Sequence, residues 1–129
     1  LSEAGLYLQK ALENLVSARA ELESNRYDAA TNRAYFAAFQ AAIAAAIDQG
    51  FSIERPDHTK VQVIFNGELI NRRRVYPASL RGLLDQLESM RVKADYRPYT
   101  VGRRGATEAV RRAAQFVQAV RGKLEKGED

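Results

Sequence analysis

Residues 26–47 read Arg26-Tyr27-Asp28-Ala29-Ala30-Thr31-Asn32-Arg33-Ala34-Tyr35-Phe36-Ala37-Ala38-Phe39-Gln40-Ala41-Ala42-Ile43-Ala44-Ala45-Ala46-Ile47. Placed on a wheel at 100° per residue, this stretch has two apolar faces. One is bulky, with Phe36, Phe39, Ile43 and Ile47. The other is small, with Tyr27, Ala30, Ala34, Ala41 and Ala45. A helix that is apolar on both sides has neighbours all round, so it belongs at the centre of a helical protein. Its small face admits a close approach, either by another helix of the chain or by a second subunit. Gly50 supplies its stop.

The flanking sequence is helical too. Before this stretch, Ala4, Leu8, Ala11, Leu15, Ala18 and Leu22 recur at a spacing of four, three and four, which predicts a first helix from about Glu3 to Ser24. After it, residues 51–57 form a loop containing Pro56, and Asp57 is placed to cap a short third helix ending near Asn71. The inner stripe of that helix is His58, Val61, Phe65 and Leu69. Pro77 suits the first turn of a fourth helix carrying Leu80, Leu84 and Leu87, which Pro98 and Gly102 end. A fifth runs from about Arg103 to Lys126 with Val110, Ala113, Val117, Val120 and Leu124 inward, and the polar tail from Glu125 to Asp129 is expected to fray. The expected fold is all-α, an antiparallel up-and-down bundle of about five helices, because short connections force antiparallel neighbours.

A length of 129 residues fits one domain, here residues 1–129, and 46% apolar residues supply one core. The chain has no cysteine, which removes disulfides and thiolate metal sites and fits a reducing, cytoplasmic setting. The longest apolar run, Ala37 to Ile47, is too short to span a bilayer, so no membrane association is expected, and no secretory signal is visible. The chain opens at Leu1 rather than Met, so native residues are expected to precede it. Charge is uneven: residues 71–112 hold eleven Lys/Arg against four Asp/Glu, and ten of the eleven are arginine. Such a segment is either a solvated basic surface or one that draws phosphates by counterion release, for which the arginine fork is the better ligand.

Three polar residues lie on apolar stripes. Arg91 continues the line Leu80, Leu84, Leu87, with Asp95 one turn on. It is either an ion pair that packs its methylenes and wets its head, or a phosphate ligand. Asn32, beside Arg33, lies in line with Phe36, Phe39 and Ile43. It is either a satisfied core amide or part of a site. His58 is the only histidine. It can serve as a general acid or base, or simply open its helix, but it cannot build a metal site alone. No Gly-rich phosphate loop, nucleophile elbow or paired His/carboxylate spacing is present, so a metal or nucleoside-triphosphate enzyme is disfavoured and no metal or cofactor is expected.

These stretches carry a resemblance. Residues 27–42 resemble the pattern Y-x-x-A-x-x-R-A-Y-Y-A-x-F-x-A-A of small prokaryotic HEPN proteins (higher-eukaryote and prokaryote nucleotide-binding). His58 with Phe65 is similar to that group's next motif. Arg91-Val92-Lys93-Ala94-Asp95-Tyr96 matches its R-x-x-A-D-Y motif, and Ala109, Ala113, Ala114, Phe116 and Val117 match the final helix loosely. The resemblance covers roughly residues 4–124 and rests on two fairly specific motifs together. It implies a dimeric helical bundle. Many members are metal-independent endoribonucleases whose shared site carries an Arg and, after four to six residues, a His. Many lie beside a minimal nucleotidyltransferase, in toxin–antitoxin or phage-defence pairs. In this chain, the residues at the His position after Arg91 are Tyr96, Arg97 and Pro98.

The expected function is binding of, or action on, RNA or nucleotides. The alternative is a non-catalytic dimeric binding or regulatory module for a nucleotidyltransferase-type partner, and a third reading is a purely structural dimerisation bundle. The candidate catalytic residues are Arg91, Asp95, Tyr96 and His58. Asp95 is the base, Tyr96 or His58 the acid, and Arg91 the stabiliser of phosphorane charge. Asn32, Arg33, Arg72, Arg73, Arg74, Arg97, Arg103 and Arg104 are the candidate RNA- or nucleotide-binding residues. The arginines of the two loops are expected to form one basic surface flanking the fourth helix, unless they fall at its opposite ends. A homodimer with Arg91 near the two-fold axis is expected.

Overall fold

The computed structural model describes residues 1–96, 98 and 100–127, and these hold helices and turns with no strand. Helix α1 (Glu3–Glu23) is capped by the Ser2 hydroxyl, which accepts from the Gly5 N–H at 3.0 Å. Asn25, at a φ of 63°, turns the chain within residues 24–26 into α2 (Tyr27–Asp48). So short a connection makes α1 and α2 antiparallel neighbours. Gly50, at a φ of 93°, ends that element in the left-handed region that glycine enters without strain.

The interior of α2 packs as its composition demands. Ala30, Ala34, Ala37, Ala38, Ala41, Ala42 and Ala44 through Ala46 have no exposed surface. Their small side chains let α1 and α5 (Arg103–Gly127) press against α2, with α4 (Leu83–Tyr96) on a further side. The small face of α2 therefore meets helices of its own chain. Of the bulky face, Ile43 is buried, whereas Phe36, Phe39 and Ile47 are only half-buried. That opening in the bundle is where the polar residues described below gather. The inward stripe expected of α5 is buried throughout. No helix among the described residues is long and apolar enough to cross a membrane.

Two elements depart from expectation. Asp57 does cap α3 (His58–Val63), accepting from the Lys60 N–H at 2.9 Å. Without a break, however, the chain widens into a π-helical segment, Ile64–Arg72. The fourth helix starts at Leu83, not near Pro77. Residues Ala78–Leu80 form a single 3-10 turn, and Gly82, at a φ of 82°, redirects the chain into α4. Leu80 is buried all the same, from outside the helix. The tail expected to fray from Glu125 is helical through Gly127, and residues 128 and 129 lie outside the described residues.

Candidate functional site

The opening beside Phe36 and Phe39 is filled by charged side chains. On α4, Arg91 projects from the face that carries Leu84 and Leu87 further toward the N-terminus. Its side chain is 16% exposed. Burial works against that charge, but hydrogen bonds and the field of Glu88 outweigh it and hold the guanidinium above its ordinary pKa. The pairing is bidentate: Arg91 Nε donates to Glu88 Oε2 at 3.3 Å, and Nη2 donates to Glu88 Oε1 at 3.0 Å. Nη1 reaches Asp95 at a longer 3.5 Å. The cation also lies over the rings of Tyr35 and Phe36, 4.9 and 5.6 Å from their centroids, with the Tyr96 ring at 6.0 Å.

From α2, Asn32 Nδ2 donates to Asp95 Oδ2 at 2.8 Å. Asn32 Oδ1 accepts from Arg33, whose guanidinium also lies 5.3 Å over the Phe36 ring. Arg33 donates to Asn14 of α1 at 3.2 Å, and Asn14 donates to Gln40 at 2.7 Å. Asn32 meets Asp95 while Tyr35, further along α2, meets Arg91, so α2 and α4 run antiparallel here.

The third wall is the start of α3. His58 Nδ1 lies 3.8 Å from Glu88 Oε2 and 3.0 Å from the Tyr35 hydroxyl. The imidazole stacks on Phe39. Burial, and then the Glu88 carboxylate, push the Tyr35 phenol well above its usual range, so it stays protonated as a donor. His58 Nε2 has no hydrogen-bond partner. The closest carboxylate to it is Asp85, at 3.6 Å, and His58 and Asp85 line one open hollow.

Arg91, Asp95, Tyr96, Asn32, Arg33 and His58 are thus brought together on one partly open face. Glu88, which joins Arg91 to His58, was missed. Its signal in sequence is the three-residue spacing to Arg91, one turn before Asp95. Tyr35 was missed as a donor because its motif position reads as core. Chemically, the face offers an imidazole whose Nε2 is buried and unpaired on one side of a guanidinium, and a carboxylate with an exposed phenol on the other. Among the described residues no group of three or more His, Cys, Asp or Glu side chains is placed to hold a metal ion.

The expectation of one basic surface needs correction. Arg73 donates to the Gln49 carbonyl at 2.9 Å and stacks over Phe51, beyond the C-terminal end of α2. Arg103 donates to Asn25 at 3.0 Å and lies over Tyr27, at the other end. The 22 residues of α2 separate these points by roughly 33 Å. Arg72 pairs with Glu68 at 3.2 Å, Arg74 lines a hollow with Arg81, and Arg104 lines a shallow one with Arg103, Thr107 and Glu108. The arginines therefore form two separate basic ends, because the loops bracketing α4 emerge at opposite ends of the bundle. Arg97 lies outside the described residues.

Comparison with curated proteins returned no match. A family model described as the HEPN domain matches residues 4–123, nearly the whole chain, and the chain therefore belongs to the HEPN-domain family.

Proposed function

We propose that this chain binds RNA at the cleft between α2, α3 and α4 and cleaves it without a metal. One observation carries the reading: His58, from a different helix, comes within 3.8 Å of the carboxylate that grips Arg91. That approach supports an imidazole from α3 standing in for the one absent after Arg91 in sequence. Cleavage through the 2′-hydroxyl needs a base on one side of the phosphorus and an acid on the other. Asp95 takes the 2′-hydroxyl proton, and O2′ attacks phosphorus as the P–O5′ bond breaks. His58, with Tyr96 as the other candidate, protonates the leaving O5′, giving a 2′,3′-cyclic phosphate and a 5′-hydroxyl. Arg91 holds the added charge of the phosphorane. A homodimer that places Tyr96 and Phe36 near a second copy, in the cytoplasm, completes the reading.

The occupancy of Arg91 favours a second reading. Glu88 and Asp95 already engage it, so an incoming phosphate must compete. That suits a non-catalytic module that holds a nucleotide or a nucleotidyltransferase-type partner in a toxin–antitoxin or defence pair. Incubation with single-stranded RNA in a chelator separates the two. The first reading expects fragments ending in 2′,3′-cyclic phosphate, at least tenfold fewer with His58→Ala. Intact RNA with a well-folded protein removes catalysis and leaves the binding module.

A further inference from the structure

Two hollows follow one another along the same rod. Gln62, Asn66 and Gly67 line the first, beside His58, along α3 and the widened helix, with Asp85 opposite. One turn further on, Asn71 and Arg74 line the next hollow, with Arg81 opposite. Both hollows thus have the same two walls: the α3 to π-helical rod on one side, and the segment leading into α4 on the other. Arg81 Nη2 bonds across the two walls to Asn71 Oδ1 at 2.6 Å. From His58 to Asn71 the rod extends roughly 20 Å. π-Helical turns are rare and cluster at functional sites, and this one forms part of the first wall.

The chemistry changes along this groove. At its far end, the Arg74 side chain has no ion pair or hydrogen bond among the described residues, and Arg81 holds only a neutral amide. Neither guanidinium is neutralised by a carboxylate lining that hollow. Between the ends lie amides that both donate and accept, and Val63, an exposed apolar side chain. Asp85, beside the imidazole, is the one carboxylate among the lining residues. A cationic end followed by amides and an apolar contact suits a strand whose phosphates are fixed while its base edges stay open, which is single-stranded RNA.

We propose that this groove is a single-stranded RNA track, with Arg74 and Arg81 anchoring the backbone some nucleotides away from the phosphate that enters the His58–Arg91 cleft. The proposal rests on the RNA reading of that cleft. Gly67 makes it testable without disturbing the core, because a Cβ there meets nothing within 4 Å. Gly67→Ala fills little space and is the folding control, and Gly67→Glu places a charged side chain in the track. Arg74→Asn with Arg81→Gln removes the anchor. Asparagine is chosen because Arg74 has a φ of 54°, which asparagine tolerates.

The measurement is fluorescence anisotropy of a short labelled single-stranded RNA at several salt concentrations, with a melting curve for each variant. Gly67→Ala should melt as wild type. Gly67→Glu should weaken binding at least fivefold. The anchor double variant should weaken it about tenfold and lower the log–log salt slope by roughly 1.4, for two lost phosphate contacts on a single strand. Unchanged affinity in both folded variants overturns the track. If Arg91→Met still abolishes cleavage in that case, the cleft reading stands alone. Tighter binding of duplex than of single strand also overturns the track. A wild-type protein that binds no RNA at low salt overturns the cleft reading, and the track with it.

Discussion

Glu88 is the residue on which the cleft's electrostatics turn. It accepts two forks of Arg91 and faces both His58 and Tyr35. Removing one partner of a half-buried, charge-assisted pair leaves the other desolvated. Glu88→Ala should therefore cost about 1–3 kcal/mol in urea unfolding, and Glu88→Gln less, because the amide oxygen still accepts. A loss below the error of the measurement would remove Glu88 from this role. The phenols give a pH test. Burial first, then the carboxylates Glu88 and Asp48 respectively, raise Tyr35 and Tyr76 above their ordinary value of 10.0. In the unfolded chain these phenols lose their protons near the ordinary value, while in the folded chain they keep them. Their contribution is thus fully present below pH 10 and falls as pH rises beyond it. Melting temperature should decline on that alkaline limb, and less steeply in Tyr35→Phe with Tyr76→Phe. Equal slopes in the variant and wild type would contradict this.

At the scale of elements, α2 depends on alanine at its contact faces. Ala41 has no exposed surface, so Ala41→Leu forces three extra carbons between helices already in contact. Overpacking of this kind should cost about 1–3 kcal/mol, read from the denaturation midpoint. A neutral result would mean that α1 and α5 lie further from α2 than described. Periodicity reveals such elements because burial repeats with the helical turn: the stripes of α1 and α5, the Asp57 cap and the Gly50 stop were all legible. The start of α4 was not. Leu80 is buried on the same line as Leu84, yet it sits in a separate turn before Gly82, and an apolar stripe does not record a break in the backbone. The widened helix was hidden for the same reason, since its inward residues Phe65 and Leu69 keep a four-residue spacing. Arg91, Asn32 and His58 stood out because each lies on an apolar stripe, and Asp95 because it follows Arg91 by one turn. That His58 faces Glu88 follows only from how α3 docks on α4, which no local pattern encodes.

For the whole molecule, charge separation matters more than net charge. The chain is +4, but its loop arginines gather at two ends roughly 33 Å apart, so RNA that contacts both must run along the bundle rather than across a single patch. Tyr96 is 72% exposed beside half-buried Phe36 and Arg91, an arrangement that suits burial against a second copy. Sedimentation at micromolar concentration should show a dimer, and Tyr96→Glu should shift it toward monomer. A wild-type monomer, or a dimer indifferent to Tyr96, would contradict a shared site.

On the proposed function Arg91 is held for chemistry and not for packing, and Arg91→Met separates the two. Methionine keeps the length and apolar contacts of the side chain while deleting the charge. RNA cleavage and binding, measured alongside thermal melting of the same preparation, should fall about 10²-fold or more, as expected when a donor to developing phosphate charge is lost, while the helical fold still melts cooperatively, destabilised only by the about 1–3 kcal/mol that unpairing Glu88 costs. A folded Arg91→Met protein that handles RNA as the wild type does would contradict the account.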